Sequence, residues 1–415
     1  MFAAATRGSV PSGAGISIPM SDPGSSVKRA SVAILLFIAG SIAFWMPARL
    51  SSQGVTIPMS TADRLLTPGW WPTKGSESRD RYVGSTACAA CHAQKVETQK
   101  ITPMAHAAMP ANAEMFAKSG NTSPLTFRAG SYNYEIAQST ASSTYSASDG
   151  TESVTAPLDW VFGSGHFGQT YVYQQKGTFY ESNLSYYPAI HALDFTTGHQ
   201  RSAPATLAKA LGEPQNPDTI RACFGCHTTV ATTSNRFEPS QATGGITCES
   251  CHGPGAQHVA AMTLNEGNQT SSFMLNPASL NPSDSVDFCG ACHRTSLDVI
   301  QMGIRGVFTA RFPAYRLEAS RCWGSDGDSR VTCVACHDPH QPLVTDVASY
   351  DKNCLSCHVL SAASKPAKDH PGAACPVAQK DCVSCHMRKY NIPEMHADFT
   401  DHKIAVHKRG DSFQE

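Results

Sequence analysis

The chain has 415 residues, 32 Lys+Arg against 33 Asp+Glu, a formal net charge of −1 and 41% hydrophobic residues. The balance leaves no basic surface for nucleic acid and no acidic tail. A chain of this length ordinarily holds two or three domains with conventional cores.

In chain order, residues 30–46 form the one long apolar run, with Lys28 and Arg29 just before it. This pattern predicts an export segment whose N-terminal side stays in the cytoplasm. Two outcomes stay open. Ser41-Ile-Ala43 offers the small residues of a signal-peptidase site. Alternatively Phe44-Trp45-Met46 prolongs the run towards the ~17–25 apolar residues of a membrane span, and this anchor is the favoured outcome. Residues 1–50 thus read as signal or membrane anchor, and 51–80, rich in Ser, Thr, Pro and Gly, as a linker. Residues 81–222 then carry one cysteine motif and a β-rich insertion. Val96 to Phe116 suits a helix or two broken by Pro103 and Pro110. Ser131-Tyr-Asn-Tyr-Glu-Ile136 alternates aromatic and polar residues, and 170–175 with 178–182 flank Lys176-Gly177 as a hairpin. A small antiparallel sheet is expected over roughly 124–190. Gly163-Ser-Gly165-His-Phe-Gly168 matches a dinucleotide-binding pattern, but it lacks a βαβ setting and an acidic residue about 20 positions on.

Seven Cys-x-x-Cys-His pentapeptides punctuate the chain: Cys88/Cys91/His92, Cys223/Cys226/His227, Cys248/Cys251/His252, Cys289/Cys292/His293, Cys333/Cys336/His337, Cys354/Cys357/His358 and Cys382/Cys385/His386. This is the attachment site of a c-type haem, heme c: two thiols add across the vinyl groups and the histidine becomes the proximal iron ligand. A zinc ribbon also uses Cys-x-x-Cys but places no demand on the next residue. With 17 histidines in 415 positions, seven chance matches would have odds on the order of 10⁻¹⁰. The last six motifs span Cys223 to His386, which leaves each haem about 27 residues. That is too little protein for separate cores, so 223–415 reads as a six-haem cluster in which porphyrins form much of the core.

Ten histidines remain: His106, His166, His191, His199, His258, His340, His370, His396, His402 and His407. They suffice for bis-histidine ligation of every iron. His258 and His340 lie too near their own motifs to cross their own porphyrin, so each is placed to serve a neighbouring iron. Met104 or Met109 are possible substitutes. Cys322 and Cys375 fall outside the motifs and, in an exported region, read as a disulfide, with free thiols or an axial thiolate as the alternatives.

Tyr82-Val-Gly-Ser-Thr-Ala-Cys88 with His106-Ala-Ala-Met109, Gly245-Ile-Thr-Cys-Glu-Ser-Cys-His-Gly-Pro-Gly255 with His258, Cys333-x-x-Cys-His-Asp-Pro-His340, and Cys382-x-x-Cys-His-Met387 with Phe399-Thr-Asp-His402 resemble the cytochrome c-554 group of multihaem cytochromes over roughly 81–405. The resemblance implies a multihaem cytochrome c fold, mostly short α-helices and loops around packed haems, and periplasmic electron transfer. It also implies His106, His199, His258, His340 and His402 as distal ligands.

The expected function is a heptahaem relay outside the cytoplasm, held on the periplasmic side by an inner-membrane anchor, or soluble there after cleavage. Its partners would be other redox proteins or membrane quinol-oxidising machinery. The competing expectation is a multihaem reductase or oxidase of nitrite, hydroxylamine or tetrathionate, which needs an open iron. No variant motif marks such an iron, and no catalytic residue is assigned.

Overall fold

Alternation of tyrosines with small polar residues over 132–148 leaves one face of each strand apolar, and the chain buries that face by stacking two sheets. In a computed structural model the described residues are 77–111, 124–138, 142–234, 236–264, 273–323, 330–358, 375, 377–408 and 410–415. The expected export segment, the linker and His370 lie outside them.

A four-stranded meander is formed by β2 (Leu125–Ala129), β3 (Tyr132–Gln138), β4 (Ser143–Ser148) and β5 (Ser153–Pro157). A six-stranded antiparallel sheet comprises β1 (Ala108–Pro110), β6 (Trp160–Phe162), β7 (Gln169–Gln175), β8 (Thr178–Tyr187), β9 (Ala192–Phe195) and β10 (Gly212–Pro214), in the order β1-β6-β7-β8-β10 with β9 also on β8. Tyr134, Ile136, Tyr145 and Ala147 of the first meet Val161, Tyr171, Tyr173 and Leu184 of the second in one core. Met109 packs against this core. The expected hairpin forms: Lys176 (φ 48°) and Gly177 (φ 83°) both take the left-handed region, and Gln175 pairs with Thr178.

The β-structure therefore corrects the expectation of a small insertion in a helix-dominated molecule. It runs from Ala108 to Pro214 and brings two sheets, because ten short strands can hide their apolar faces only against each other. The Gly163–Gly168 stretch joins antiparallel β6 to β7 and precedes no helix. A Cβ at Gly163 would lie 2.2 Å from the Gly168 carbonyl, so glycine serves a tight turn there.

Besides the single turn Leu207–Ala210, the helices are α1 (Gly84–Gln99), α2 (Pro217–His227), α3 (Cys248–His252), α4 (Ala256–Thr263), α5 (Pro282–His293), α6 (Ser296–Met302), α7 (Pro313–Glu318), α8 (Cys333–Cys336), α9 (Asp351–Leu355) and α10 (Cys382–His386), of which α1, α2, α3, α5, α8, α9 and α10 carry the motifs. The helix expected from Val96 ends at Gln99, and a 3₁₀ turn (Met104–His106) leads into β1. Among the described residues no helix is long and apolar enough to cross a membrane. All described residues fall in one compact unit.

Candidate haem sites

A helical turn places residues i, i+3 and i+4 on one face. Each Cys-x-x-Cys-His that rides on such a turn presents two thiols and an imidazole to the same side. Two of the carrying helices start alike: Asn216 accepts from the Thr219 amide at 2.8 Å and Asn281 from the Asp284 amide at 2.9 Å, each followed by proline at the first helical position. The cap fixes the helix phase, and hence the side on which the motif faces.

The two thiols of a motif do not share one environment. Cys91, Cys292, Cys336 and Cys385, the second cysteines of motifs one, four, five and seven, are exposed, while their first cysteines Cys88, Cys289, Cys333 and Cys382 are half-buried. The first cysteine opens the turn and packs against a neighbouring motif, whereas the second closes it three residues on, at the surface. Motif six departs further, because α9 ends at Leu355 and leaves Cys357 and His358 beyond the helix. Both are half-buried. Their amides donate to the Cys354 carbonyl, at 3.2 Å from Cys357 and 2.9 Å from His358, and the Ser356 hydroxyl donates to the Cys357 sulfur at 3.8 Å. These bonds fold motif six into a single turn that keeps its two cysteines and its histidine together.

Three proximal histidines look across a gap at a second imidazole. His92 faces His258 with ring centroids 6.5 Å apart and planes 22° from parallel; His252 faces His340 at 6.0 Å and 15°; His337 faces His402 at 6.3 Å and 46°. Two metal–nitrogen bonds of about 2 Å plus two ring radii of about 1.1 Å give about 6.2 Å. The residues therefore fit an iron held between each pair.

The outer ring nitrogens fix the tautomer. With Nε2 kept for metal, Nδ1–H donates to a backbone carbonyl: His227 to Ala107 at 2.9 Å, His252 to Leu275 at 2.8 Å, His386 to Ala405 at 2.9 Å and His402 to Thr400 at 3.0 Å. Burial favours the neutral ring. It holds His402 down to about 4, with His337 adding to the effect, and lowers His337.

Polar clasps bring the distal histidines into place. Glu249, a middle residue of the third motif and only 2% exposed, accepts from the amides of Val83 (2.9 Å), Gly84 (2.9 Å) and Gly255 (2.8 Å). One carboxylate thus caps α1, which carries motif one, and fixes the Gly253-Pro-Gly255 turn that swings His258 towards His92. Gly253 takes φ 82° in that turn. At the other end Arg316 and Asp401 form a bidentate pair, 0% and 1% exposed, with contacts of 2.7 and 2.8 Å. Ser320 donates to the His402 carbonyl and accepts from the Ile404 amide, so the backbone on both sides of His402 is held.

The motifs are mutual neighbours. The thiols of Cys88 and Cys248 lie within electrostatic reach of each other, as do those of Cys289 and Cys333 and of Cys354 and Cys382. Cys251 lies within electrostatic reach of Cys289, and Cys354 within reach of Cys336. Cys226 donates to the Ala291 carbonyl inside motif four at 3.3 Å. The order through space is one–three–four–five–six–seven, with motif two joining at four. Motif one, distant in sequence, packs directly on motif three. Gly244 and Gly245 allow this close approach, since a Cβ on Gly245 would lie 1.9 Å from the Ala105 carbonyl.

Two sequence-expected distal ligands stand elsewhere. His106 is exposed, and among the described residues no proximal ring faces it; the neighbouring Ala107 carbonyl is what touches a motif. His199 sits against β8 with Nδ1 3.1 Å from Asn183 and Nε2 3.0 Å from Glu181. Both nitrogens are engaged in this arrangement. His407, not assigned from the sequence, has both ring nitrogens buried without a hydrogen-bond partner and lies within electrostatic reach of His386. Cys322 and Cys375 are not joined as a disulfide. Cys375 is exposed, and the Ala378 and Val377 amides lower its pKa; Cys322 lies near Cys336.

Residues 181–253 match the family described as cytochrome c554 and c-prime. The match spans β8 to motif three and contains the second and third motifs complete. No curated protein matches. The crystal structure of outer cell wall cytochrome OcwA aligns with TM-score 0.44 and 14% identity, covering 78% of this chain and 79% of that one, a likeness too low to carry an argument. The motifs and the family match together support a multihaem c-type cytochrome.

Proposed function

We propose that the protein is a heptahaem electron relay working outside the cytoplasm. The observation that carries the reading is the unbroken spatial succession of motifs from Cys88 to His386, with opposed histidine pairs at motifs one, three and five. Each haem supplies a one-electron iron couple. The chain's own residues orient the imidazoles and hold neighbouring attachment sites together. Residues 30–46 with Lys28 and Arg29 support export, and the same run supports a membrane tether. Redox proteins or quinol-oxidising machinery of that membrane fit as partners.

The test is intact mass with an EPR spectrum of the oxidised holoprotein. Seven haem additions and low-spin signals from motifs one, three and five are expected; fewer than seven in protein from a host competent for haem attachment refutes the count. His258→Ala should convert one low-spin iron to high-spin.

The reductase reading has one observation in its favour. Among the described residues no histidine faces His227, which instead meets the edge of Phe162 at 5.2 Å, and Glu181, bonded to His199, lies within electrostatic reach of Cys223. A high-spin signal in the unaltered protein together with enzymatic turnover of nitrite or hydroxylamine would replace the relay by this reading.

A further inference from the structure

We infer that Tyr350 sets the reduction potential of the haem carried by motif five. Three of the seven proximal histidines, His227, His252 and His386, donate Nδ1–H to backbone carbonyls at 2.8–2.9 Å. His337 differs: its Nδ1 meets the Tyr350 hydroxyl at 3.4 Å. The roles in this contact are fixed. The Tyr350 hydroxyl donates its proton to the Val344 carbonyl at 2.9 Å, so its oxygen is left to accept from His337. A phenol oxygen at 3.4 Å is a weaker acceptor than an amide carbonyl at 2.8 Å.

The strength of this outer bond governs how much electron density the imidazole passes to iron. A strong acceptor raises ligand basicity and stabilises the ferric state; a weak one leaves the ferrous state favoured. Motif five therefore carries a haem of higher potential than motifs two, three and seven, as far as this bond decides. Its place in the structure makes that matter. Asn353 donates to the Ala335 carbonyl of motif five at 2.7 Å, Asp351 accepts from the Asp381 and Cys382 amides at the start of motif seven at 2.7 and 2.8 Å, and Cys354 opens motif six. Residues 350–354 thus brace three motifs, and Tyr350 is the member that reaches an iron ligand. An electron passing between motif four and motif six would pause at motif five.

This inference rests on the relay reading only in requiring a haem on His337. The experiment is spectroelectrochemical titration of the holoprotein and of Tyr350→Phe, which keeps the ring, its 5.5 Å contact with His337 and its packing but removes the acceptor. Intact mass and EPR spin state should be unchanged. One midpoint should rise, by about a threefold change in that haem's reduction equilibrium, on the order of one weak hydrogen bond. A merely structural role would show instead as lost haem or a new high-spin signal with unmoved midpoints. Unmoved midpoints, or a downward shift, overturn the inference. Absence of haem from motif five in the unaltered protein overturns the relay reading instead. Should Tyr350→Phe fail to mature, ¹⁵N-histidine-labelled unaltered protein decides: the His337 Nδ1–H should exchange with solvent about tenfold faster than those of His227, His252 and His386, and equal protection overturns the proposal.

Discussion

Between β1 and β10 the chain buries Tyr132, Tyr134, Tyr145, Tyr171, Tyr173 and Tyr186 in a side-chain core shared by two sheets. From α3 onward the apolar cluster shrinks to Val286, Ala314 and Leu317 with a few half-buried neighbours, and buried charged groups such as Glu249, Arg316 and Asp401 take over as fasteners. The difference teaches how each region is stabilised. The sheets draw on the hydrophobic effect through their own aromatic residues. The motif region has too few apolar residues per motif for that, so it depends on what the cysteines attach and on polar clasps that fix where each imidazole points.

Withholding haem breaks the comparison most severely. Protein made in a host lacking attachment machinery should lose protease resistance from α2 to the C-terminus, while a fragment containing Ala108–Pro214 persists in limited proteolysis. Equal loss of both regions would show that the sheets lean on the haems too.

Next come two substitutions of similar size and opposite reach. Asp401→Ala strands the buried Arg316 guanidinium and should cost about 3–5 kcal/mol. It also frees the segment bearing His402, so a lower denaturation midpoint and a new high-spin EPR signal should appear together. Tyr134→Ala, 1% exposed in the sheet core, should cost about 3–5 kcal/mol as well, yet leave the haem spectrum unchanged.

Glu249→Ala removes three amide contacts at the junction of motifs one and three, and about 2–3 kcal/mol is expected. Its distinctive readout is haem one: His258 loses its fixed turn, and exogenous imidazole should bind where it did not before.

The smallest effect lies at Asp287. Burial, then the neighbouring Glu318, Asp284 and Asp298, pushes its carboxyl up to about 7 from 3.8. The folded state therefore retains a proton that the unfolded chain has released. Its contribution is full below about pH 4 and is lost as pH rises through about 7. Asp287→Asn should shrink the fall in Tm between about pH 5 and about pH 8; an unchanged fall would place that pH dependence elsewhere.

Sequence alone determined the chemistry and the local shapes that chemistry requires. Seven pentapeptides dictate paired thiols beside an imidazole, because spacing along a turn is a local property. The β-hairpin at Lys176-Gly177 was legible for the same reason: two residues at positive φ match the twist of the strands they join. The sequence also placed His258 and His340 too close to their own motifs to cross their own porphyrins. What only the tertiary structure decided is which rings they face, because pairing depends on long-range contacts that spacing does not encode. His258 meets His92, 166 positions away, through a single glutamate that holds both backbones. Which thiol of a motif packs inward was hidden for that reason too: Cys88 lies within electrostatic reach of Cys248 of another motif, while Cys91 is left at the surface. His106 and His199 carry the same residue type at family-like positions, but one is exposed and the other is engaged by Asn183 and Glu181. The size of the β region was hidden likewise. Strands of three residues give little periodicity of their own, and only pairing with distant partners, such as β1 with β6, turns them into a sheet.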